Sequence, residues 1–149
     1  MQATFLVECI APRALHIDRY LPITPINLWL DHRGRTIAAP DLSAAELDLD
    51  PDTDQILSNS TIKGLIKRMA KAAEAEAKEI SESLVEEASI AMKTELKSEI
   101  TRLANLTRLN PDVGEEEIKS LAVHQEALTQ ALDETRIRMD SLHLIVCEE

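Results

Sequence analysis

One uninterrupted helical pattern constrains this chain more than any other feature of its sequence. Between Thr61 and Leu109 there is no proline, and the only glycine is Gly64. Apolar residues recur there at steps of three and four, at Ile66, Met69, Ala73, Ala77, Ile80, Leu84, Ala88, Met92, Leu96, Ile100 and Leu103. The mean step of about 3.7 residues is close to the period of a nearly straight α-helix. We therefore expect a single helix over residues 61–109, roughly 74 Å long at 1.5 Å per residue.

A second helix is predicted after the break at "LNPDVGEEE". Pro111 ends the first helix, and Asp112 or Gly114 caps the next one before its acidic first turn. A seam with heptad spacing follows, at Ile118, Leu121, Gln125, Leu128, Leu132, Thr135, Met139 and Leu142. Two of its members, Gln125 and Thr135, are polar. This pattern predicts a helix over residues 115–141 that returns antiparallel along the distal half of the first. The proximal half, residues 66–80, must then bury its stripe against another element.

The two ends of the chain are typical of β structure. Residues 1–40 contain "PINLWLDHRGRTIAAP", which predicts a hairpin whose turn runs from Asp31 to Gly34, since glycine accepts the positive φ of a hairpin bulge. The final strand is predicted over residues 142–149, "LHLIVCEE". We expect it to share one sheet with the strand around residues 5–10.

The predicted fold class is therefore α+β, with a small antiparallel sheet packed on a long antiparallel helical hairpin. The chain of 149 residues is long enough for one domain with a real core. Residues 41–60 form an acidic, proline-bounded connection between the β part and the first helix.

The net charge of −11 is unevenly distributed. Residues 1–40 carry four arginines against three acids, a net charge of +1, so residues 41–149 carry −12. Because nucleic-acid affinity comes largely from neutralising phosphates, we predict weak or absent binding of this domain to duplex DNA.

No apolar run approaches the roughly 20 residues of a membrane span, and no secretion signal is visible. These observations predict a soluble cytoplasmic domain.

The sequence offers no convincing catalytic, cofactor or metal site. Its three glycines are far apart and no Gly-Lys-Ser/Thr sequence occurs, which excludes a phosphate-binding loop within these residues. His16, Asp18 and His143 could form a metal or acid–base site, but a polar face of a half-buried strand is the favoured interpretation. Cys9 and Cys147 are expected to be buried, reduced thiols rather than a disulfide or a nucleophile paired with His143.

Two exposed charged groups are candidates for binding a partner. The Arg33-Gly34-Arg35 tip is the one local basic cluster of the predicted hairpin, although a soluble turn without a partner is the favoured interpretation. The acidic first turn of the second helix also has a purely structural explanation, which is its interaction with the helix dipole. The candidate partner-binding residues are Arg33, Arg35, Glu115, Glu116 and Glu117.

A collinear series of motifs resembles the C-terminal domain of the RapA family of bacterial RNA polymerase-associated, Swi/Snf-type ATP-dependent remodellers. The series comprises "APRALHIDRYLPITPINLWLDHRGRTIAA" at residues 11–39, "LKSEITRLANLTRLNPDVGEEEI" at 96–118 and "RMDSLHLIV" at 138–146. Within it, Arg19 to Pro22 match an Arg-aromatic-Leu-Pro pattern, Asp31 and Gly34 match an Asp-x-x-Gly turn, and Asn110 with Pro111 matches a helix break. Residues 41–60 show little match.

The resemblance implies a function that the residues alone do not specify. In this family the ATPase lobes, with their ATP and magnesium sites, would lie upstream of residue 1, so the chain is expected to be an excised C-terminal domain without a cofactor. Its implied role is non-catalytic docking or regulation, with RNA polymerase or the protein's own ATPase lobes as the partner. The alternative is a stand-alone antiparallel coiled-coil adaptor or oligomerisation module, and homo-oligomerisation remains open in either case.

Overall fold

A four-stranded antiparallel sheet and two helices form the part of the chain that the structure describes. The computed structural model describes residues 1–43, 58–109 and 115–145. Its strands are β1 (Gln2–Glu8), β2 (Thr24–Leu30), β3 (Thr36–Ile37) and β4 (Arg136–His143), in the spatial order β3-β2-β1-β4. Helices α1 (Ser60–Leu109) and α2 (Glu115–Asp133) lie between β3 and β4 in the sequence. The predicted α+β class is confirmed.

The sheet follows from alternation of apolar and polar residues. Every second residue of β1 is buried, including Ala3, Phe5 and Val7, and β2 buries Ile26, Leu28 and Leu30 in the same way. Period-two burial is what a strand with one face on a core requires. Two short 3₁₀ turns, Arg13–Leu15 and Ile17–Arg19, join β1 to β2.

The contacts divide the chain into two compact units. Unit 1 comprises residues 1–6, 25–79 and 139–149, and unit 2 comprises residues 7–24 and 80–138. Strands β1 and β4 and helix α1 each continue from one unit into the other.

The core of unit 1 combines sheet residues with the first part of α1. Met69, Ala73 and Ala77 are buried in α1, and all three belong to the predicted stripe. Phe5 and Leu30 are the largest fully buried side chains of the unit's strands. The proximal half of α1 thus buries its stripe in the unit that contains these strand residues and none of α2, in agreement with the expectation that it packs against another element.

The core of unit 2 is the contact between the distal half of α1 and α2. Met92 and Leu96 of α1 and Leu128 and Leu132 of α2 are all buried. These residues recur at the three- and four-residue steps from which an antiparallel helix pair was predicted. Helix α2 also contacts both 3₁₀ turns, and Arg19 of the second turn pairs with Glu95 of α1.

The predicted end of the second helix, at residue 141, is wrong. Helix α2 stops at Asp133, where the amide of Thr135 donates to the carbonyl of Leu132 over 3.1 Å in a tight final turn. Residues 136–143 form strand β4 instead, beside the central strand β1. The heptad spacing through Thr135, Met139 and Leu142 was coincidental, because backbone pairing with β1 outweighs a helical pattern only two turns long.

The final strand was consequently predicted too far along the chain, over residues 142–149. Strand β4 ends at His143, although it does share a sheet with β1 as expected. Residues 146–149, including Cys147, lie outside the described residues, as do the predicted helix break at 110–114 and most of the acidic connection, residues 44–57.

Candidate functional site

The turn between β2 and β3 is held by one carboxylate. Oδ1 of Asp31 accepts hydrogen bonds from the amides of Arg33 and Arg35, each over 2.9 Å. Its Oδ2 accepts from Nε of Arg35 over 2.8 Å. The amide of Gly34 donates to the carbonyl of Asp31 over 2.9 Å, and the φ of Gly34 is +79°. The predicted turn from Asp31 to Gly34 is therefore confirmed.

These contacts change the acidity of Asp31 and fix the role of one arginine. Hydrogen bonds from Arg35 and Arg33, foremost the one from the backbone amide of Arg35, lower the pKa of Asp31 to about 2. Because Arg35 also pairs with Asp31 through its guanidinium, over 2.7 Å, its charge is locally compensated. Arg33 is exposed and makes no ion pair with another described residue, so its charge is the uncompensated one of this turn.

The turn lies against the beginning of α1. A Cβ placed on Gly34 would be 3.4 Å from Cβ of Ala72 and 4.0 Å from the carbonyl oxygen of Arg68. A guanidinium nitrogen of Arg68 donates to the carbonyl of His32 over 2.7 Å. The turn thus places Arg33 next to a helical stretch that none of the candidate motifs in the sequence includes.

That stretch is basic. Residues 58–73 contain Lys63, Lys67, Arg68 and Lys71 and no acid, within a chain whose net charge is −11. All four side chains are exposed. Lysines at four-residue intervals were the sequence signal for this basic stretch. The net charge of residues 41–149 as a whole is negative, so it does not reveal the stretch.

The acidic candidates lie on α2, within unit 2. Glu116 and Glu117 are exposed in the first turn of the helix, where carboxylates interact favourably with the helix dipole. Glu115 is the first residue of α2, and its side chain lies outside the described part. One face of α2 carries an open, shallow cavity of about 530 Å³, lined by polar side chains that include Gln125 and Glu126.

The residues considered for catalysis do not occupy the positions expected of them. Asp18 is in the second 3₁₀ turn and His16 lies between the two turns, with a left-handed backbone and φ of 49°, so neither is on a strand face. His143 ends β4 and is exposed, with Nδ1 3.4 Å from Oε1 of Gln2. The strand prediction failed at residues 16 and 18 because the chain turns there to bury Ile17.

The thiol of Cys9 is held within unit 2. Its Sγ donates to the carbonyl of Ala131 over 2.8 Å. Burial raises the pKa of Cys9. A thiol in such surroundings is a poor nucleophile at neutral pH.

Two further findings apply to the described residues alone. Across residues 1–43, 58–109 and 115–145, no three His, Cys, Asp or Glu side chains are grouped so that they could hold a metal ion. No helix in the same ranges combines the length and the apolarity needed to cross a membrane.

Comparison with known proteins identifies relatives over almost the whole chain. RNA polymerase-associated protein RapA of Vibrio atlanticus (strain LGP32) is 29% identical over 149 residues, and that of Vibrio vulnificus (strain YJ016) is 30% identical over 149 residues. The RapA of Proteus mirabilis (strain HI4320) is 28% identical over 150 residues. Each alignment covers 98% of this chain and 15% of the relative.

The family match is equally complete. The sequence model described as "RNA polymerase recycling family C-terminal" matches residues 1–147. This range includes all four strands and both helices, and it agrees with the resemblance seen in the motifs at residues 11–39 and 96–118. The chain belongs to the RNA polymerase recycling family and corresponds to its C-terminal region.

Proposed function

We propose that this domain is a non-catalytic docking or regulatory element of an RNA polymerase-associated, ATP-dependent recycling factor. The observation that carries the proposal is the family match over residues 1–147, together with relatives named as RNA polymerase-associated. The chain spans about 15% of the length of those relatives. ATP and magnesium would then be bound by ATPase lobes elsewhere in the whole protein, which would work in the bacterial cytoplasm.

The partner is RNA polymerase or the protein's own ATPase lobes. Support comes from two charged groups, Arg33 with Arg35 in the β2–β3 turn and Glu115 to Glu117 at the start of α2, of which Arg33, Arg35, Glu116 and Glu117 are exposed. Charges of this kind accelerate encounter with a partner more than they deepen the final affinity. A net charge of −11 supports weak or absent binding of duplex DNA by this domain alone.

Polymerase capture tests the docking role. We expect the immobilised protein to retain purified RNA polymerase, with an association rate that falls as salt rises. The variant Arg33→Glu and the double variant Glu116→Lys/Glu117→Lys change exposed charges on different elements, so each serves as the control for the other. If polymerase capture is lost in one variant alone, the element that carries its substitution makes the contact with polymerase. Unchanged capture by both variants would contradict docking through either group.

The alternative is self-association through α1 and α2. It is supported by Ile90 of α1 and Val123 of α2, which are 58% and 67% exposed although both are large aliphatic residues. Light scattering over a range of protein concentrations distinguishes the two functions. A dimer that persists on dilution and fails to retain polymerase would favour an oligomerisation module.

A further inference from the structure

The structure brings together basic residues of unit 1 from two elements that are distant in the sequence. We define the basic surface as Arg33, Lys63, Lys67, Arg68 and Lys71. The contact of Gly34 with Ala72 and the hydrogen bond from Arg68 to His32 join the β2–β3 turn to α1 at this point. At 100° per residue, Lys71 and Lys67 lie about 60° and 100° around the helix from Arg68, and the buried Met69 lies on the opposite side of Arg68.

The stability of the helix does not account for these cations. Lys63, Lys67 and Lys71 are spaced at i, i+4 and i+8, where like charges repel one another. The first turn of α1 carries no acid, although acids stabilise that end of a helix and cations do not. None of the three lysines forms an ion pair with another described residue. Their charge is therefore available to an anionic partner.

The extent of the basic surface limits what that partner can be. From Lys63 to Lys71 it extends about 12 Å along α1, at 1.5 Å per residue. Glu74 and Glu76 follow about 4.5 and 7.5 Å further along the axis, within the Debye length of about 8 Å at physiological ionic strength. A long polyanion such as a nucleic-acid strand would continue past Lys71 and be repelled by these carboxylates. A short anionic segment would not.

We infer that the basic surface binds a short Asp- or Glu-rich segment of a partner protein. Arginine side chains such as Arg33 bind carboxylates through paired hydrogen bonds, and the lysine row supplies point charges beside them. The inference rests on the proposed docking role, because it specifies the chemistry of the partner's surface. It predicts that docking uses the basic surface, so that the acids of α2 are dispensable.

Binding of a fluorescein-labelled oligoglutamate peptide, measured by anisotropy, tests the inference separately from polymerase capture. We expect salt-sensitive binding that weakens about tenfold in Lys67→Gln/Lys71→Gln, which is about threefold for each exposed ion pair lost. The matched control is Lys93→Gln/Lys97→Gln, which removes the same charge at the same i, i+4 spacing from exposed positions of the same helix. The control is expected to bind the peptide as well as the unaltered protein. Circular dichroism verifies that both variants keep their helices.

Four results would overturn the inference. The first is that the peptide fails to bind. The second is that both double variants lose affinity equally, which would indicate a dependence on total charge alone. The third is that a single-stranded RNA of equal charge binds more tightly than the peptide, which would assign the surface to phosphates. The fourth is that the peptide binds only when Glu46, Asp48, Asp50, Asp52 and Asp54 are replaced by amides, which would mean that the chain's own acids compete for the surface. If the peptide binds as expected but polymerase is not retained, the inferred chemistry stands and the proposed partner is wrong.

Discussion

Replacing Leu128 by alanine removes the centre of the contact between α1 and α2. Leu128 is 0% exposed, as is Met92 of α1. The substitution deletes three carbon atoms, which at about 0.8 kcal/mol per buried methylene amounts to about 2.4 kcal/mol. The cavity left behind adds to this loss, and comparable substitutions in protein cores cost about 2–5 kcal/mol. We therefore expect the free energy of unfolding to fall by about 3–4 kcal/mol.

The matched control on the same helix is Val123→Ala. Val123 is 67% exposed, so little apolar contact is lost, and alanine is the better helix former. We expect its free energy of unfolding to change by about 0.5 kcal/mol or less. Urea unfolding followed by far-UV circular dichroism measures both variants, and Tm should fall by roughly 10 °C in Leu128→Ala alone. Equal stabilities of the two variants would refute the packing of α2 on α1.

Three other substitutions test local features of unit 1. Gly64→Ala should stabilise the protein by about 0.5–1 kcal/mol, because Gly64 is in a helix with nothing within 4 Å of the added Cβ. Gly34→Ala should destabilise it by about 1–2 kcal/mol, because Gly34 has a φ of +79° and the added Cβ would approach Ala72. Thermal unfolding measures whether Tm rises in Gly64→Ala and falls in Gly34→Ala. Equal changes of Tm in the two variants would contradict the backbone conformations assigned to these glycines. Asp31→Asn should lower Tm at neutral pH by an amount that shrinks as the pH falls from about 4 to about 2. The folded pKa of Asp31 is about 2 against an ordinary value of 3.8, so its stabilising contribution is present above that range and is lost through it. A Tm difference that is independent of pH would contradict this role.

The sequence predicts those parts of the fold in which one periodicity persists over many residues. The stripe of α1 runs from Met69 to Leu103, and a pattern of that length leaves no alternative to a helix. The turn at Asp31 was predictable for a different reason, since Asp at the first position and glycine at the fourth position are typical of a β-turn. Both are determined by local chemistry, so neither required knowledge of distant contacts.

The sequence does not predict features that depend on contacts between distant residues. The residues from 136 to 141 fit a helix by spacing, yet they form part of β4 because β1, at the other end of the chain, offers a backbone partner. The basic surface was missed for the same reason. Arg33 and Lys67 are separated by the acidic connection, and only tertiary contacts, those of Gly34 with Ala72 and of Arg68 with His32, show that their elements meet.

A photo-crosslinking amino acid placed at Gly64 tests the proposed docking through the basic surface most directly. Gly64 has open space around its Cβ and precedes Arg68 by one helical turn, so the probe reports on the basic surface without removing a charge. The control position is Ile90, which is 58% exposed further along α1. After irradiation with purified RNA polymerase, docking through the basic surface predicts a crosslinked polymerase subunit from position 64 and none from position 90. Crosslinking from position 90 alone, or from neither position while polymerase is retained, would contradict it.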